Sequence, residues 1–149
     1  MRDNKWLEDR LYEIWKKHFQ DIEKINRVYI RFGRANRNQL GSIVAKGPKR
    51  LFRKPGRFPK PSWWLPESFS IITMNSLFKN PQIPNEVIDI TIAHELVHYA
   101  HGFSSPHPQL YRYPHSGSIV TKELIKRGLK DQLNVHKKWL KTNWKNLHC

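Results

Sequence analysis

The chain contains 149 residues, of which 38% are hydrophobic and 12% aromatic. This length and composition predict a single folded domain over residues 1–149 and exclude an intrinsically disordered chain. Twenty-seven Lys and Arg against twelve Asp and Glu give a formal net charge of +15. Because so large a charge repels itself in a compact protein, it predicts a polyanionic partner, with nucleic acid as the first candidate. The alternative is a basic composition that serves solubility alone.

Cys149 is the only cysteine, so the sequence excludes an intrachain disulfide and a cysteine-based zinc ribbon. The amphipathic stretch that follows Met1 does not have the pattern of a secretory signal. No apolar run approaches the roughly 18 residues that a membrane-spanning helix needs. We therefore expect a protein of the cytoplasm, without membrane association. The sequence does not fix the oligomeric state, and a monomer is the favoured expectation. A nucleoid-associated or nuclear location is also compatible with these features.

The hydrophobic pattern predicts one helix and three strands in the first half of the chain. Residues 4–22 carry apolar side chains at three- and four-residue spacing, which predicts an amphipathic helix. Residues 27–33, 40–45 and 69–75 are short and rich in β-branched and other apolar residues, which predicts strands. The stripe of the first helix, expected to face the core, consists of Trp6, Leu7, Leu11, Ile14, Trp15 and Phe19.

The second half is predicted to be helical apart from one loop. A helix is expected from Asn85 to His101, with Asn85 as its N-cap and no Gly or Pro within it. Residues 102–114 contain three prolines and two serines, and this composition predicts a loop. Two further helices are expected at residues 118–127, ended by Gly128, and at residues 131–147.

The predicted central helix contains the sequence His94-Glu95-Leu96-Val97-His98. Residues four apart on an α-helix lie about 40° apart around the axis and one turn along it. The two imidazoles can therefore bind one tetrahedral zinc ion, with Glu95 beside it as the general base for a water molecule. The alternative is a buried helix with two incidental histidines. Asp89 would lie about 140° from His94 around the axis, so it is expected to cap or brace the helix.

A strongly basic stretch separates the second and third predicted strands, and its prolines and glycines oppose regular structure over most of it. Its cations are interleaved with Phe and Trp, a combination that suits single-stranded or distorted nucleic acid. The alternative is a solvated loop whose aromatic residues pack onto the core. Because no sequence-specific motif is present, we expect recognition of backbone and shape. The candidate residues are Lys46, Lys49, Arg50, Arg53, Lys54, Arg57, Lys60, Trp63 and Trp64.

A catalytic zinc site usually has three protein ligands, so the two helical histidines need a third residue. His101 would lie about 10 Å from His94 along the helix axis, which is too far to share one ion easily. From the residues alone, His107, His115 and Glu123 remain as candidates.

Four segments, in this order, resemble the SprT-like zinc metalloproteases, which include Spartan-type DNA–protein crosslink proteases, and the related YgjP-like metalloproteases. The resemblance covers about residues 27–130 and leaves residues 131–149 as a helical C-terminal extension. It favours His115 over His107, because His115 opens a predicted helix and carries the downstream spacing of the family. The segments are Leu40-Gly41-Ser42, Ile71-Ile72-Thr73-Met74-Asn75, Val87-Ile88-Asp89-Ile90-Thr91-Ile92-Ala93-His94-Glu95-Leu96-Val97-His98 and Pro114-His115-Ser116-Gly117-Ser118-Ile119.

The resemblance implies a small zincin-like α+β domain. In it a sheet of three or slightly more strands, antiparallel or mixed, packs on the N-terminal helix and the active-site helix, and C-terminal helices follow. It also implies Zn²⁺ bound by His94, His98 and His115, with Glu95 as the catalytic base of a peptidase that acts on proteins bound or crosslinked to DNA. Two other functions stay open: a non-catalytic, zinc-containing nucleic-acid-binding module and a metal-dependent hydrolase of nucleic acid. Glu95 disfavours the first, because a structural zinc site has no use for a base.

Overall fold

The computed structural model describes residues 1–47 and 68–144. Within these residues it contains four α-helices and one three-stranded sheet, so the predicted α+β class is confirmed. The elements are α1 (Asn4–His18), β1 (Arg27–Phe32), β2 (Gly41–Lys46), β3 (Phe69–Met74), α2 (Asn85–Ala100), α3 (Ile119–Lys126) and α4 (Lys130–Asn143). Short 3-10 helices, Ser76–Lys79 and Ser116–Ser118, precede α2 and α3.

The sheet is mixed, and β3 is its central strand. β1 runs parallel to β3, whereas β2 runs antiparallel to it, with Gly41 opposite Met74. The side chains of β3 alternate as a strand requires, so that Ser70, Ile72 and Met74 are buried. Among the described strands, β1 and β2 each pair on one side only.

Helix α1 is shorter than the sequence predicts, because it ends at His18 and not at residue 22. Asp3 begins the helix by accepting a hydrogen bond from the backbone N–H of Trp6 (2.8 Å). At the other end, the indole N–H of Trp15 donates to the carbonyl of Ile22 (2.9 Å) and holds the chain in a turn. The predicted stripe does face the core, and its buried members are Leu7, Leu11, Ile14 and Phe19.

Helix α2 lies at the centre of the core, where it packs against α1, β2, β3, α3 and α4. Twelve of its sixteen residues are buried. A surface helix has one polar face. A helix surrounded by other elements has no such face, so most of its circumference is apolar. Glu95 and His98 are therefore unusual members of this helix, since such residues are seldom buried without a partner.

The prediction that Asn85 is the N-cap of α2 is wrong. Pro84 precedes the helix and Asn85 is its first residue. The side-chain oxygen of Asn85 instead accepts a hydrogen bond from the buried Arg2 guanidinium (2.7 Å). Arg2 also donates to the carbonyls of Phe78 and Ile83 at 3.0 and 2.6 Å, and so holds the turn that leads into α2. This long-range contact takes the Asn85 side chain away from the helix end.

Helices α3 and α4 lie close to their predicted positions. Gly128, which follows α3, has a φ of +84°, in the left-handed region that glycine adopts without strain. α4 packs against α2 and contributes Leu133 to the core. The helix predicted as an extension therefore covers one side of the central helix, although residues 145–147 of that prediction lie outside the described part of the chain. No helix in the described ranges has the length and hydropathy needed to cross a membrane.

Candidate metal centre

Three imidazole rings from two separate segments converge at one side of α2. The Nε2 atom of His115 lies 3.1 Å from that of His94 and 3.0 Å from that of His98. The ligand atoms of all three lie within 4.8 Å of one another. Tetrahedral bonds of about 2.0–2.1 Å place two ligand nitrogens about 3.4 Å apart, which is close to the two shorter separations. This group can therefore hold a metal ion.

Two of the three rings are positioned by helix geometry alone. His94 and His98 occupy successive turns of α2, and their ring centroids lie 4.6 Å apart. His115 comes from the loop that follows α2 and stands directly before the 3-10 helix Ser116–Ser118. Its ring centroid lies 4.6 Å from that of His98 and 5.2 Å from that of His94.

Hydrogen bonds tie this loop to α2 and to the sheet, so that His115 returns over the helix. The hydroxyl of Ser105 donates to the carbonyl of Tyr99 near the end of α2 (2.6 Å). The hydroxyl of Ser70 on β3 donates to the carbonyl of Ser104 (2.7 Å). The composition of the loop predicts irregular structure. The structure shows that Ser104 and Ser105 attach this loop to β3 and α2.

The other candidate ligands lie elsewhere. Nε2 of His107 lies 2.6 Å from the carbonyl oxygen of Glu23, and the His107 ring packs on Tyr99. His101 is buried, and its Nε2 lies 3.9 Å from the Glu123 carboxylate. Glu123 is also paired with Arg127 at 3.3 Å. Within residues 1–47 and 68–144, the structure therefore brings His115 to the two helical histidines and leaves His107, His101 and Glu123 outside the group.

The environment keeps the two helical imidazoles neutral. Burial, followed by the neighbouring His115, lowers the pKa of His94 to about 4. Burial, followed by His94, lowers the pKa of His98 to about 3. Both rings consequently present free lone pairs at neutral pH, which is the form that binds a metal ion.

Glu95 lies on the same helix and is only 5% exposed. Burial raises the pKa of its carboxyl group to about 8, because the charged form loses its hydration. No described residue forms a hydrogen bond or ion pair with this carboxyl group. A cation held beside Glu95 would favour the carboxylate and oppose the effect of burial.

A cavity of about 410 Å³ joins these groups. Its floor is α2, with His94, Glu95 and His98, and one wall is the loop that carries His115. The opposite wall consists of residues 38–43, from the β1–β2 loop and the start of β2. The arrangement offers an ion-binding group and an acid–base residue in a single cavity.

Asn75, which directly follows β3, holds the β1–β2 loop in place. Its side-chain amide donates to the carbonyls of Asn36 and Gln39 at 2.6 and 2.9 Å. Its backbone N–H donates to the carbonyl of Leu40 (2.9 Å). The sequence identifies Asn75 only as the end of a strand, and the structure shows that it fixes one wall of the cavity.

Gly41 allows β2 to approach α2 closely beside the cavity. A Cβ atom at this position would lie 3.0 Å from Cγ2 of Thr91 and 3.4 Å from Sδ of Met74. A larger residue would push β2 away from the helix, because contacts below 3.4 Å are tighter than most packed side chains allow. The Gly-Ser segment therefore has a packing role in the site.

Most of the predicted nucleic-acid-binding residues lie outside the described part of the chain. Lys46 is the exception: it ends β2 and is exposed. Residues 24–47 contain six Lys or Arg and no acid. Of these, Arg34 and Arg37 are exposed in the loop that forms the cavity wall. The undescribed candidates are Lys49, Arg50, Arg53, Lys54, Arg57, Lys60, Trp63 and Trp64.

One cavity residue is absent from the sequence-based predictions. His136, on α4, lines the same cavity as the metal-binding group. Its spacing from Leu133 and Leu140, three and four residues, places it on the inner face of α4 and is the only signal in the sequence.

Comparison of the chain with models of protein families, with curated proteins and with solved structures gives no match. A function for this protein must therefore be derived from the chemistry of the cavity.

Proposed function

We propose that this chain is a zinc-dependent metallopeptidase of the SprT-like type, with a zincin-like fold. The observation that carries the proposal is the convergence of His94, His98 and His115 beside the buried Glu95. Three protein ligands and one open position are typical of catalytic zinc, whereas structural zinc sites are closed by four ligands. The group of three imidazoles supports the catalytic type.

The donor set supports zinc over harder ions. Imidazole nitrogen suits zinc, copper, iron and nickel, whereas magnesium, calcium and manganese prefer oxygen ligands. Within the described residues the group contains three histidines and no carboxylate, so it offers nitrogen alone. When bound, Zn²⁺ would supply a Lewis acid and would lower the pKa of a water molecule to about 7.

Glu95 performs the proton transfers. Its carboxylate accepts a proton from the attacking water and later delivers that proton to the leaving amine. Burial raises the pKa of the Glu95 carboxyl group and a cation beside it would lower that pKa, so the two opposing effects favour a group that exchanges a proton near the working pH. Because Glu95 directly follows His94 on α2, the helix itself places the base beside the metal-binding group.

One edge of β2 is paired by no described strand, and this supports an extended polypeptide as the substrate. Among the described strands β2 pairs only with β3, and its first residues line the cavity. An extended peptide can add to such an edge through main-chain hydrogen bonds. A scissile amide on that strand would lie next to Glu95 and the metal-binding group.

Charge supports a substrate that is held on nucleic acid. Three features favour a polyanionic partner: the net charge of +15, the exposed Arg34 and Arg37 of the β1–β2 loop, and the basic stretch after Lys46. The substrate class is therefore protein bound or crosslinked to DNA, recognised through backbone and shape. The corresponding location is the cytoplasm, the nucleoid or the nucleus.

The proposal is tested with a DNA-binding protein as substrate, incubated with the enzyme with and without DNA. Cleavage should require zinc: a chelator should abolish it and one equivalent of Zn²⁺ should restore it. DNA that binds both partners should increase the rate. Cleavage of the naked DNA with the protein left intact would contradict the proposal and favour a nuclease. Zinc binding without cleavage of either substrate would instead favour a non-catalytic module.

A further inference from the structure

His136 stands in the wall of the cavity and comes from an element that supplies no other group of the site. α4 packs against α2 and contributes Leu133 to the core, and His136 lies three residues after Leu133 on the same side of the helix. The residue lines the cavity together with His94 and Glu95. The group that can hold a metal ion, however, does not include it.

The imidazole of His136 is not satisfied by the described part of the chain. Its Nε2 atom is buried and has no hydrogen-bond partner there. Burial, followed by the nearby Lys137, lowers the pKa of the ring to about 4, so at neutral pH it is uncharged and carries one N–H. An unpaired polar group in such a place is unfavourable, and an apolar side chain would fill it at lower cost. Because His136 as a residue also lines the cavity, its ring is suited to a partner outside the polypeptide.

We propose that His136 is a catalytic residue whose imidazole N–H donates a hydrogen bond to the carbonyl oxygen of the scissile amide. The inference rests on the proposed peptidase function. Negative charge develops on that oxygen as the reaction proceeds, and a donor that is already in place stabilises it without reorganisation. An uncharged imidazole is suited to this task because it provides the donor without adding a positive charge beside the metal site.

The proton and electron balance leaves His136 unchanged. Water oxygen forms a bond to the carbonyl carbon, the π electrons move to the carbonyl oxygen and one water proton passes to Glu95. The C–N bond then breaks, the C=O double bond re-forms and the nitrogen receives the proton from Glu95. His136 keeps its proton throughout and contributes a stronger hydrogen bond when the oxygen carries charge than when it is neutral.

The test compares His136→Phe, which keeps a ring but removes the donor, with His136→Gln, which keeps an N–H. Lys138→Ala, at an exposed position of α4, is the matched control. For each protein, zinc stoichiometry, the thermal midpoint, kcat and KM are measured. The affinity of the zinc-loaded protein for a peptide phosphonamidate, which carries charged oxygens on a tetrahedral centre, gives a readout besides activity.

We expect His136→Phe to bind one zinc ion like the wild type, with kcat lowered about 10²- to 10³-fold and KM changed much less. The phosphonamidate should bind the Phe variant at least about tenfold more weakly, and the Gln variant should lie between the Phe variant and the wild type. Loss of zinc in both His136 variants would overturn the proposal and make His136 a ligand. Unchanged kcat and phosphonamidate affinity would overturn it as well. Failure of the wild type itself to bind zinc or cleave peptides would refute the proposed function, which is a different result.

Discussion

Arg10 on α1 pairs with Asp89 on α2 through two hydrogen bonds. Nε of Arg10 lies 2.9 Å from Oδ1 of Asp89, and Nη2 contacts Oδ2. Both side chains are largely buried, at 32% and 14% exposure. The pair joins the N-terminal helix to the first half of α2, five residues before His94. Asp89 thus has the bracing role that its position on the helix predicts.

Asp89→Ala should lower the free energy of unfolding by about 2 kcal/mol, because it leaves a partly buried guanidinium without its partner. The matched control is Asp9→Ala, which removes an exposed, solvent-screened pair with Lys5 on α1 and should cost much less. Urea unfolding of both variants measures the difference. Both variants should still bind zinc. Equal losses of stability in the two variants would show that the Arg10–Asp89 pair does not brace the helices.

His115→Ala should weaken zinc binding by more than about 100-fold, since even residues outside the ligand set cost 10- to 100-fold when they are removed. His107→Ala is the control from the same loop, because the structure directs His107 to the carbonyl of Glu23 instead of the metal-binding group. Metal analysis after dialysis against a weak chelator distinguishes the two variants. Undiminished zinc in the His115 variant would reject it as the third ligand.

Removal of four cations from the basic stretch should reduce the salt dependence of binding to single-stranded DNA. Each lost phosphate contact lowers the slope of log K against log salt by about 0.7, so the total change should approach 3. Fluorescence anisotropy at several salt concentrations measures the slope. The control variant loses the same number of positive charges elsewhere. An equal change in its slope would refute a specific role for the basic stretch. The test variant replaces Lys49, Arg50, Arg53 and Lys54 with Ala, and the control replaces Lys5, Lys16, Lys17 and Lys24.

The ion pair between Asp21 and Arg127 predicts a dependence of stability on pH. A hydrogen bond from Arg127 (2.6 Å) lowers the pKa of Asp21 from its usual value of 3.8. The pair therefore stabilises the fold above pH 3.8, and this stabilisation is lost as the pH falls through the lowered pKa. Because Asp21 is 67% exposed, Asp21→Asn should cost less than about 1 kcal/mol at pH 7. Urea unfolding from pH 7 to pH 3 should show this difference shrinking, and a difference that grows would contradict it.

Local patterns in the sequence predict the elements well, but not their arrangement. The three strands lie within one residue of their predicted bounds, because each is a short segment rich in β-branched and other apolar residues. Their order and the parallel pairing of β1 with β3 follow from contacts between segments that are distant in the chain. The Asn85 cap fails for the same reason, since Arg2, 83 residues away, binds its side chain.

The residues of the candidate site also divide into those that a local pattern predicts and those that only the folded structure brings together. His94, Glu95 and His98 can be identified from a five-residue motif, because helix geometry relates them. His107 and His115 cannot be separated by spacing alone, since a loop decides which of them returns to the helix. His136 has the sequence spacing of an ordinary core position, and only the packing of α4 on α2 places it in the cavity.

The central claim is that Glu95 acts as the base of a metal-dependent peptidase. The most direct measurement determines zinc content and peptide cleavage together in Glu95→Gln. Glu86→Gln, an exposed position in the first turn of the same helix, is the control. We predict that both variants bind one zinc ion, that the Glu86 variant cleaves at the wild-type rate and that the Glu95 variant loses at least about 100-fold in kcat. Full cleavage by zinc-loaded Glu95→Gln would contradict the proposed mechanism.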